Sequence, residues 1–339
     1  MHEADNGMVS FNPMKGESMV SRRNFLVGGI GAALATAAAG CRLFTGAAKD
    51  YDENLAVFLS DPHVSHKPES HQLGELRKVV AKILRMDPLP RNCVVFGDIA
   101  RSFGLKADYE TSTGPLRELE AAGIRLTLGM GNHDRRGHFL ELWPEYAKRT
   151  RVPGRVVTVA DLGRCDLLML DTLWESHQDE TQHTEGDGQL VGDQWDWVRA
   201  ELPRWPRPVV VCAHHSNADV KDGDARAFTN LLMDAPNVIG YVHGHNHCWM
   251  PSCFRRSGTP WGDRVRKRRL CLPSSGHWGD IGWVIFRTTP TEARADLTVW
   301  DYWYPHPAAA GETRPAIWDD LVREKQGRFC TFRVPGVRA

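Results

Sequence analysis

The sequence predicts an α/β fold whose strands are covered by helices. Three observations carry that expectation. Apolar strand-like runs recur from about residue 50, amphipathic helical stretches separate them, and polar residues fall just after the runs.

The first run spans residues 55–60, and a helical stretch over 71–86 follows it. That stretch places Leu73, Leu76, Val79, Val80, Ile83 and Leu84 on one face. Further runs cover 92–96, 124–128, 166–170, 209–212 and 238–242. Helical patterns over 115–122, 139–148, 193–202 and 225–233 lie between or beside them. After Arg269 the pattern is of strands alone, at 269–272, 282–286 and 295–300. No internal repeat and no low-complexity linker follows the N-terminal segment.

With 42% apolar and 25% charged residues over 339 positions, the chain has the composition of a folded protein with a sizeable core. Lys plus Arg and Asp plus Glu both number 42, so the net charge is zero. Bulk attraction to nucleic acid or an anionic membrane is not implied, and no nucleic-acid partner is expected. None of the eight cysteines is in CxxC spacing. Cys248 and Cys253 are near enough to pair in an oxidising compartment, although spacing alone does not establish it.

The N-terminus reads as an export signal. Ser21-Arg22-Arg23-Asn24-Phe25-Leu26 precedes an uncharged, small and apolar run over 27–40. It resembles the twin-arginine signal of bacteria, which passes folded proteins to a dedicated translocation machinery. Ala38-Ala39-Gly40-Cys41 resembles a lipoprotein cleavage box in which Cys41 is acylated, with Ala38 where that pattern prefers Leu. Cleavage after Ala37-Ala38-Ala39 is the alternative. The expected organisation is a signal over 1–41 and one domain over 50–339. The expected location is the periplasm, free or tethered to the membrane through lipid.

Six runs each end on polar residues. Asp61-Pro62-His63 follows the first and Gly97-Asp98 the second. Gly131-Asn132-His133-Asp134 follows the third, Asp171 the fourth, and His214-His215 the fifth. His243-Gly244-His245-Asn246-His247 follows the sixth. In α/β sheets the carboxyl ends of strands are where catalytic loops converge. A cluster of His, Asp and Asn without thiolates suits Mn, Fe or Zn, and the number of donors is enough for two ions. An Asp using both oxygens can bridge two such ions. Gly97, Gly131 and Gly244 fit turns that bring backbone close to the site.

Five of these groups, Asp61-x-His63, Gly97-Asp98, Gly131-Asn132-His133-Asp134, His214 and Gly244-His245-x-His247, resemble in this order the motifs of the calcineurin-like metallophosphoesterases over nearly all of the chain past the signal. The resemblance implies two packed mixed β-sheets flanked by α-helices. It implies a dinuclear phosphoesterase with Asp61, His63 and His247 on one metal and Asn132, His214 and His245 on the other. Asp98 would bridge them. A metal-bound hydroxide would attack phosphorus while His133 assists the leaving group, and Asp134 would orient that imidazole. Arg136 resembles the phosphate contact of the cyclic-nucleotide phosphodiesterase-like branch, which favours a phosphodiester over a monoester substrate. Where purple acid phosphatases carry an iron-binding Tyr three residues past the bridging Asp, this chain has Arg101.

Other features have plainer expectations. His66 and His71 are expected as exposed residues near a helix start, and His243 as a strand-end neighbour. Residues 171–192 form either a lid or a long polar loop. Gln194-Trp195 is expected to pack, and the basic run 264–269 to form a solvated hairpin face. Ser274, Ser275, Gly276 and His277 are candidates to line the cleft. A metal-stabilised envelope binding protein without turnover is the competing class. His133 weighs against it, since a structural site has no use for a non-ligand imidazole.

Overall fold

The computed structural model describes residues 50–176, 184–221, 225–258, 265–303 and 315–334. The export signal and Cys41 lie outside them, as do His177 and His183 of the polar segment. The first half of the chain forms β1 (Tyr51–Leu59), α1 (His71–Ile83), β2 (Leu89–Val95), α2 (Lys106–Ala121) and β3 (Arg125–Leu128). There follow α3 (Arg136–Leu142), α4 (Tyr146–Arg149), β4 (Thr158–Asp161) and β5 (Asp166–Met169). Next come β6 (Gly188–Gln189), α5 (Gly192–Glu201), β7 (Val209–Ala213), β8 (Val220–Lys221) and α6 (Ala225–Asp234). The last elements are β9 (Val238–His243), β10 (Met250–Phe254), β11 (Lys267–Cys271), β12 (Gly279–Thr288), β13 (Glu292–Trp303), α7 (Ala316–Lys325) and β14 (Phe329–Arg333).

Two mixed six-stranded sheets result, ordered β14-β13-β12-β1-β2-β3 and β10-β11-β9-β7-β5-β4. In the first, β1, β2 and β3 are parallel and β12 joins β1 antiparallel. In the second, β5, β7, β9 and β11 are parallel. A parallel pair needs a crossover, and α1, α2, α5 and α6 lie in those connections.

Alternation within the strands sets the layers. Ala56 and Phe58 of β1 enter the core between the sheets, while Val57 and Leu59 enter the core under the helices, as a two-residue repeat dictates. The same split separates Val94 from Cys93 in β2, and Val210 and Cys212 from Val209 and Val211 in β7. Phe58 stacks on Phe286 at 4.6 Å between ring centroids, and each such buried ring contributes roughly 2–3 kcal/mol. Leu76, Val79, Val80 and Ile83 of α1 cover the first sheet, and Val198, Phe228 and Leu232 of α5 and α6 cover the second. The expected sandwich flanked by helices is the observed one.

Three differences from the sequence reading have physical causes. The helix expected from Pro115 begins at Lys106 and runs through that proline. Its buried face is Asp108, Tyr109, Ser112, Pro115, Leu116 and Leu119, too polar at its start to read as apolar periodicity. The stretch 139–148 is two short helices divided at Pro144, whose missing N–H ends a ladder. The chain does not finish on strands alone, because α7 precedes the edge strand β14. Among the described residues no helix is long and apolar enough to cross a membrane.

Candidate metal centre

The carboxyl ends of β1, β2 and β3 from one sheet, and of β7 and β9 from the other, meet at one rim. The loops there approach so closely that two positions tolerate no side chain. A Cβ on Gly131 would lie 2.2 Å from Asp98 Oδ1, and one on Gly244 would lie 2.0 Å from Ser60 Oγ. Backbone conformation marks the same place. Among described non-glycine residues, positive φ occurs at Asp61 (52°), His63 (44°), Asp98 (50°), Ser102 (55°), His245 (69°) and His247 (51°). L-residues enter this region at a cost on the order of 1 kcal/mol each, and such residues cluster at functional sites. Five of the six are expected ligands.

Two sets of donor atoms converge. In the first, His247 Nε2 lies 3.1 Å from Asp61 Oδ1 and 3.2 Å from His63 Nε2, and His63 Nε2 lies 3.4 Å from Asp98 Oδ2. In the second, Asn132 Oδ1 lies 3.0 Å from His214 Nε2 and 2.9 Å from His245 Nδ1. Asp98 Oδ2 reaches this set as well, 3.2 Å from His214 Nε2. Its other oxygen, Oδ1, accepts the backbone N–H of His133 at 2.7 Å. One oxygen of Asp98 therefore faces the two sets.

This arrangement fits a cation. His214 Nδ1 donates to the Phe96 carbonyl at 2.8 Å, which turns Nε2 toward the oxygens of Asn132 and Asp98. Electron-rich atoms packed this closely need a proton or a metal cation among them. Burial opposes charge on His214, yet Asp98 and Asp61 beside it push its imidazole up to about 9. Burial likewise opposes ionisation of Asp98, but His214, His133 and His63 hold it well below the usual carboxylate range. The pocket draws in positive charge.

The residues around these atoms hold them in place. Asp61 Oδ2 accepts from Ser60 Oγ and, at 3.1 Å, from the His245 N–H. Ser274 Oγ donates to the Asp61 carbonyl at 2.8 Å, and Ser275 N–H to the Ser60 carbonyl at 2.7 Å. His277, from the same late segment, puts its ring 4.2 Å from that of His63. Burial, His247 and Arg101 push its imidazole down to about 3. Trp278, which the sequence did not single out, lies 4.3 Å from the His247 ring. A cavity of about 230 Å³ opens beside His277, bounded by His71, Glu75, Asp301 and Trp303.

His133 lies 4.9 Å, ring to ring, from His63. Its Nδ1 donates to the Ser102 carbonyl at 2.8 Å, which leaves Nε2 as the exchangeable atom. Here the expected partner is corrected. The Asp134 carboxylate is taken up by Tyr109 OH at 2.8 Å, Gly131 N–H at 2.8 Å, and the N–H groups of Ile99 and Ala100. Asp134 thus ties the second and third loops together, while Ser102, itself at positive φ, sets the imidazole. Burial and the charge of Asp98 push the Asp134 carboxyl up to about 6.

Arg136 also departs from expectation. Its Nε and Nη2 form a two-pronged pair with Asp171 at 2.6 and 2.8 Å, its Nη1 meets Glu175 at 2.5 Å, and Nη2 also donates to the Leu173 carbonyl at 2.5 Å. A guanidinium so engaged is a fastener for the 171–175 segment rather than a phosphate contact. Gln194 packs as expected and adds a hold, pairing both amide atoms with the Asp171 backbone at 3.0 and 2.7 Å. Thr172 bonds His215 Nδ1 at 2.9 Å, and Thr184 donates to the Asn132 carbonyl. The described parts of the polar segment are therefore fastened beside the centre.

His215 stands 4.9 Å, ring to ring, from both His214 and His245, and the three imidazoles form a group that could hold a metal ion; Asn132 Oδ1 is the atom within 3.0 Å of His214 and His245. The other histidines separate from the centre. His243 Nδ1 donates to the Gly244 carbonyl at 2.9 Å. His66 binds Asp108 at 2.6 Å, and His71 is exposed at the start of α1. The described part of the basic run forms a hairpin strand, with Lys267 capping the Leu232 and Ala235 carbonyls.

Comparison with known proteins adds the following. A family model, calcineurin-like phosphoesterase, matches residues 56–249. The chain is similar to a solved structure of PhoD at 13% identity, covering 76% of this chain and 67% of that one, with a TM-score of 0.49. It is similar to wild-type Vps29 complexed with zinc from Entamoeba histolytica at 12% identity, covering 72% and 92%, with a TM-score of 0.33. Calcineurin-like phosphoesterase YfkN from Bacillus subtilis is 11% identical over 82% and 90%, with a TM-score of 0.40. No curated protein matches the chain.

Proposed function

Because the chain belongs to the calcineurin-like phosphoesterase family and is a metal-dependent phosphoesterase, we propose that it hydrolyses phosphodiesters at a dinuclear centre. Asp61, His63 and His247 would hold one ion, Asn132, His214 and His245 would hold the other, and Asp98, which faces both sets, would serve both. The observation that carries this reading is the position of Asp98 Oδ2, 3.4 Å from His63 Nε2 and 3.2 Å from His214 Nε2. The nitrogen and oxygen donors suit Mn, Fe or Zn.

Bound there, two such cations supply a water acidic enough to attack phosphorus near neutral pH and neutralise charge on the phosphoryl oxygens. The protein's own groups do the rest. His133, held by Ser102, presents Nε2 to the departing oxygen and gives it a proton. His277 stays neutral beside His63, so it adds no competing charge. The cavity beside it gives room for the alcohol part of the ester. Diester preference rests on charge: the Arg136 guanidinium is committed to Asp171 and Glu175. A dianionic monoester loses more by that commitment than a singly charged diester.

Manganese-loaded protein is expected to release nitrophenol faster from bis-nitrophenyl phosphate than from mono-nitrophenyl phosphate. The reverse order makes it a phosphomonoesterase. No release from either, with two metals bound per chain, makes it a binding protein.

We also propose export by the twin-arginine route and acylation at Cys41, on the strength of Arg22-Arg23-Asn24-Phe25-Leu26 and the small residues before the cysteine. Cys41→Ser is expected to move the product from the detergent phase to the aqueous phase in a partitioning assay. Unchanged partitioning removes the anchor.

A further inference from the structure

We propose that Cys248 and Cys271 are a disulfide-forming pair that, once oxidised, staples the metal-ligand loop to the strand behind it. The two Sγ atoms lie 3.9 Å apart, and closing them to a bond takes about 2 Å of combined movement. Cys248 directly follows His247. Cys271 ends β11 with its Sγ 3.4 Å from the carbonyl of Gly244, the residue before His245. In register, Cys271 faces His243 on β9 and Met250 on β10. It therefore lies behind the whole turn that carries His245 and His247.

Access and mobility divide between the two thiols. Cys248 is half-buried and Cys271 fully buried, so a reagent from solvent meets Cys248 first. The backbone on either side of Cys248 is pinned: Asp280 N–H donates to the His247 carbonyl at 2.9 Å, and Trp249 N–H to Asp280 Oδ2 at 2.6 Å. Closure accordingly falls on side-chain torsions rather than on the ligand loop. The sequence neighbour Cys253 is not the partner the structure offers. It is exposed on β10, with Arg268 3.5 Å from its sulfur.

The chemistry balances with a small-molecule disulfide as oxidant. The Cys248 thiol attacks one sulfur of that disulfide, forms a mixed disulfide, and releases one thiol carrying a proton. The Cys271 thiol then attacks the Cys248 sulfur and releases the second thiol. Two protein thiols are oxidised and one disulfide is reduced to two thiols. The product closes a loop of roughly two dozen residues and so restricts the unfolded chain. It also holds His245 and His247 against β11. This inference concerns the thiols and stands apart from the phosphodiester reading.

The test uses the reduced, manganese-loaded full chain incubated with oxidised glutathione and mapped by non-reducing peptide mass spectrometry. The expected product is one linked peptide pair joining Cys248 to Cys271, with Tm raised by about 5 °C over the reduced protein. Manganese loss to EDTA is expected to slow several-fold. Cys248→Ser should abolish the linked pair and both effects. A stable glutathione adduct on Cys248, a Cys248–Cys253 link, or no reaction at Cys248 overturns the pairing. A correct link without slower manganese loss overturns the stapling role.

Discussion

Asp98→Asn is expected to lower metal content below two ions per chain and to cut kcat/KM by at least about a hundredfold, more than loss of an outer-shell partner costs. The substitution keeps size and shape, so the fold should persist. What changes is the atom between His63 Nε2 and His214 Nε2. A carboxylate offers negative charge there while its other oxygen accepts the His133 N–H. An amide offers a neutral oxygen in one orientation and an N–H₂ group aimed at imidazole nitrogens in the other. Charge balance worsens too, since Asp98 and Asp61 together raise His214 against burial. Elemental analysis alongside turnover on bis-nitrophenyl phosphate decides the matter. Full metal content with wild-type turnover would sink the bridging assignment.

His133→Asn should do the opposite to the metals and nearly the same to the chemistry. Both ions are expected to remain, because the backbone N–H that holds Asp98 Oδ1 is kept in the variant. Turnover on esters with poor leaving groups is expected to fall by about 10²–10⁴, the usual size of a general-acid contribution. Nitrophenyl esters should suffer less, since nitrophenolate departs without a proton. Pairing a nitrophenyl with an alkyl ester therefore separates proton donation from simple damage. Equal losses on both, or loss of metal, would show that His133 does something other than protonate the leaving oxygen.

How far the sequence reveals the molecule depends on which physical property a residue expresses. The central strands were legible because Ala56 to Leu59 or Val209 to Cys212 are apolar on both faces, which only a sheet covered twice requires. The donor positions were legible because Asp, His and Asn recur directly after those strands, next to glycines that two loops need in order to touch. What was hidden depends on partners distant in the chain. Nothing local to Arg136 announces Asp171 and Glu175, and nothing local to Asp134 announces Tyr109. Left-handed φ at Asp61, His63, Asp98, His245 and His247 is likewise invisible, since even Asp and His, commoner there than other side chains, adopt it at a minority of their positions. Trp278 was missed because an indole beside an imidazole leaves no spacing signal. α2 was misread at its start because a tyrosine and a serine supply the buried face there.

Asp61, His63, Asp98 and Asn132 hang from one sheet, and His214, His245 and His247 from the other. The two leaves meet through the apolar layer between them, to which one gives Phe58 and Phe286 and the other Met169 and Val210. Ions seated at the rim would act as a clasp on a folded book, and the packing along the spine would decide how the clasp aligns. A repacked residue deep in that layer, touching no ligand, is felt twice: once in how long the molecule stays shut, and again in how well its donors meet.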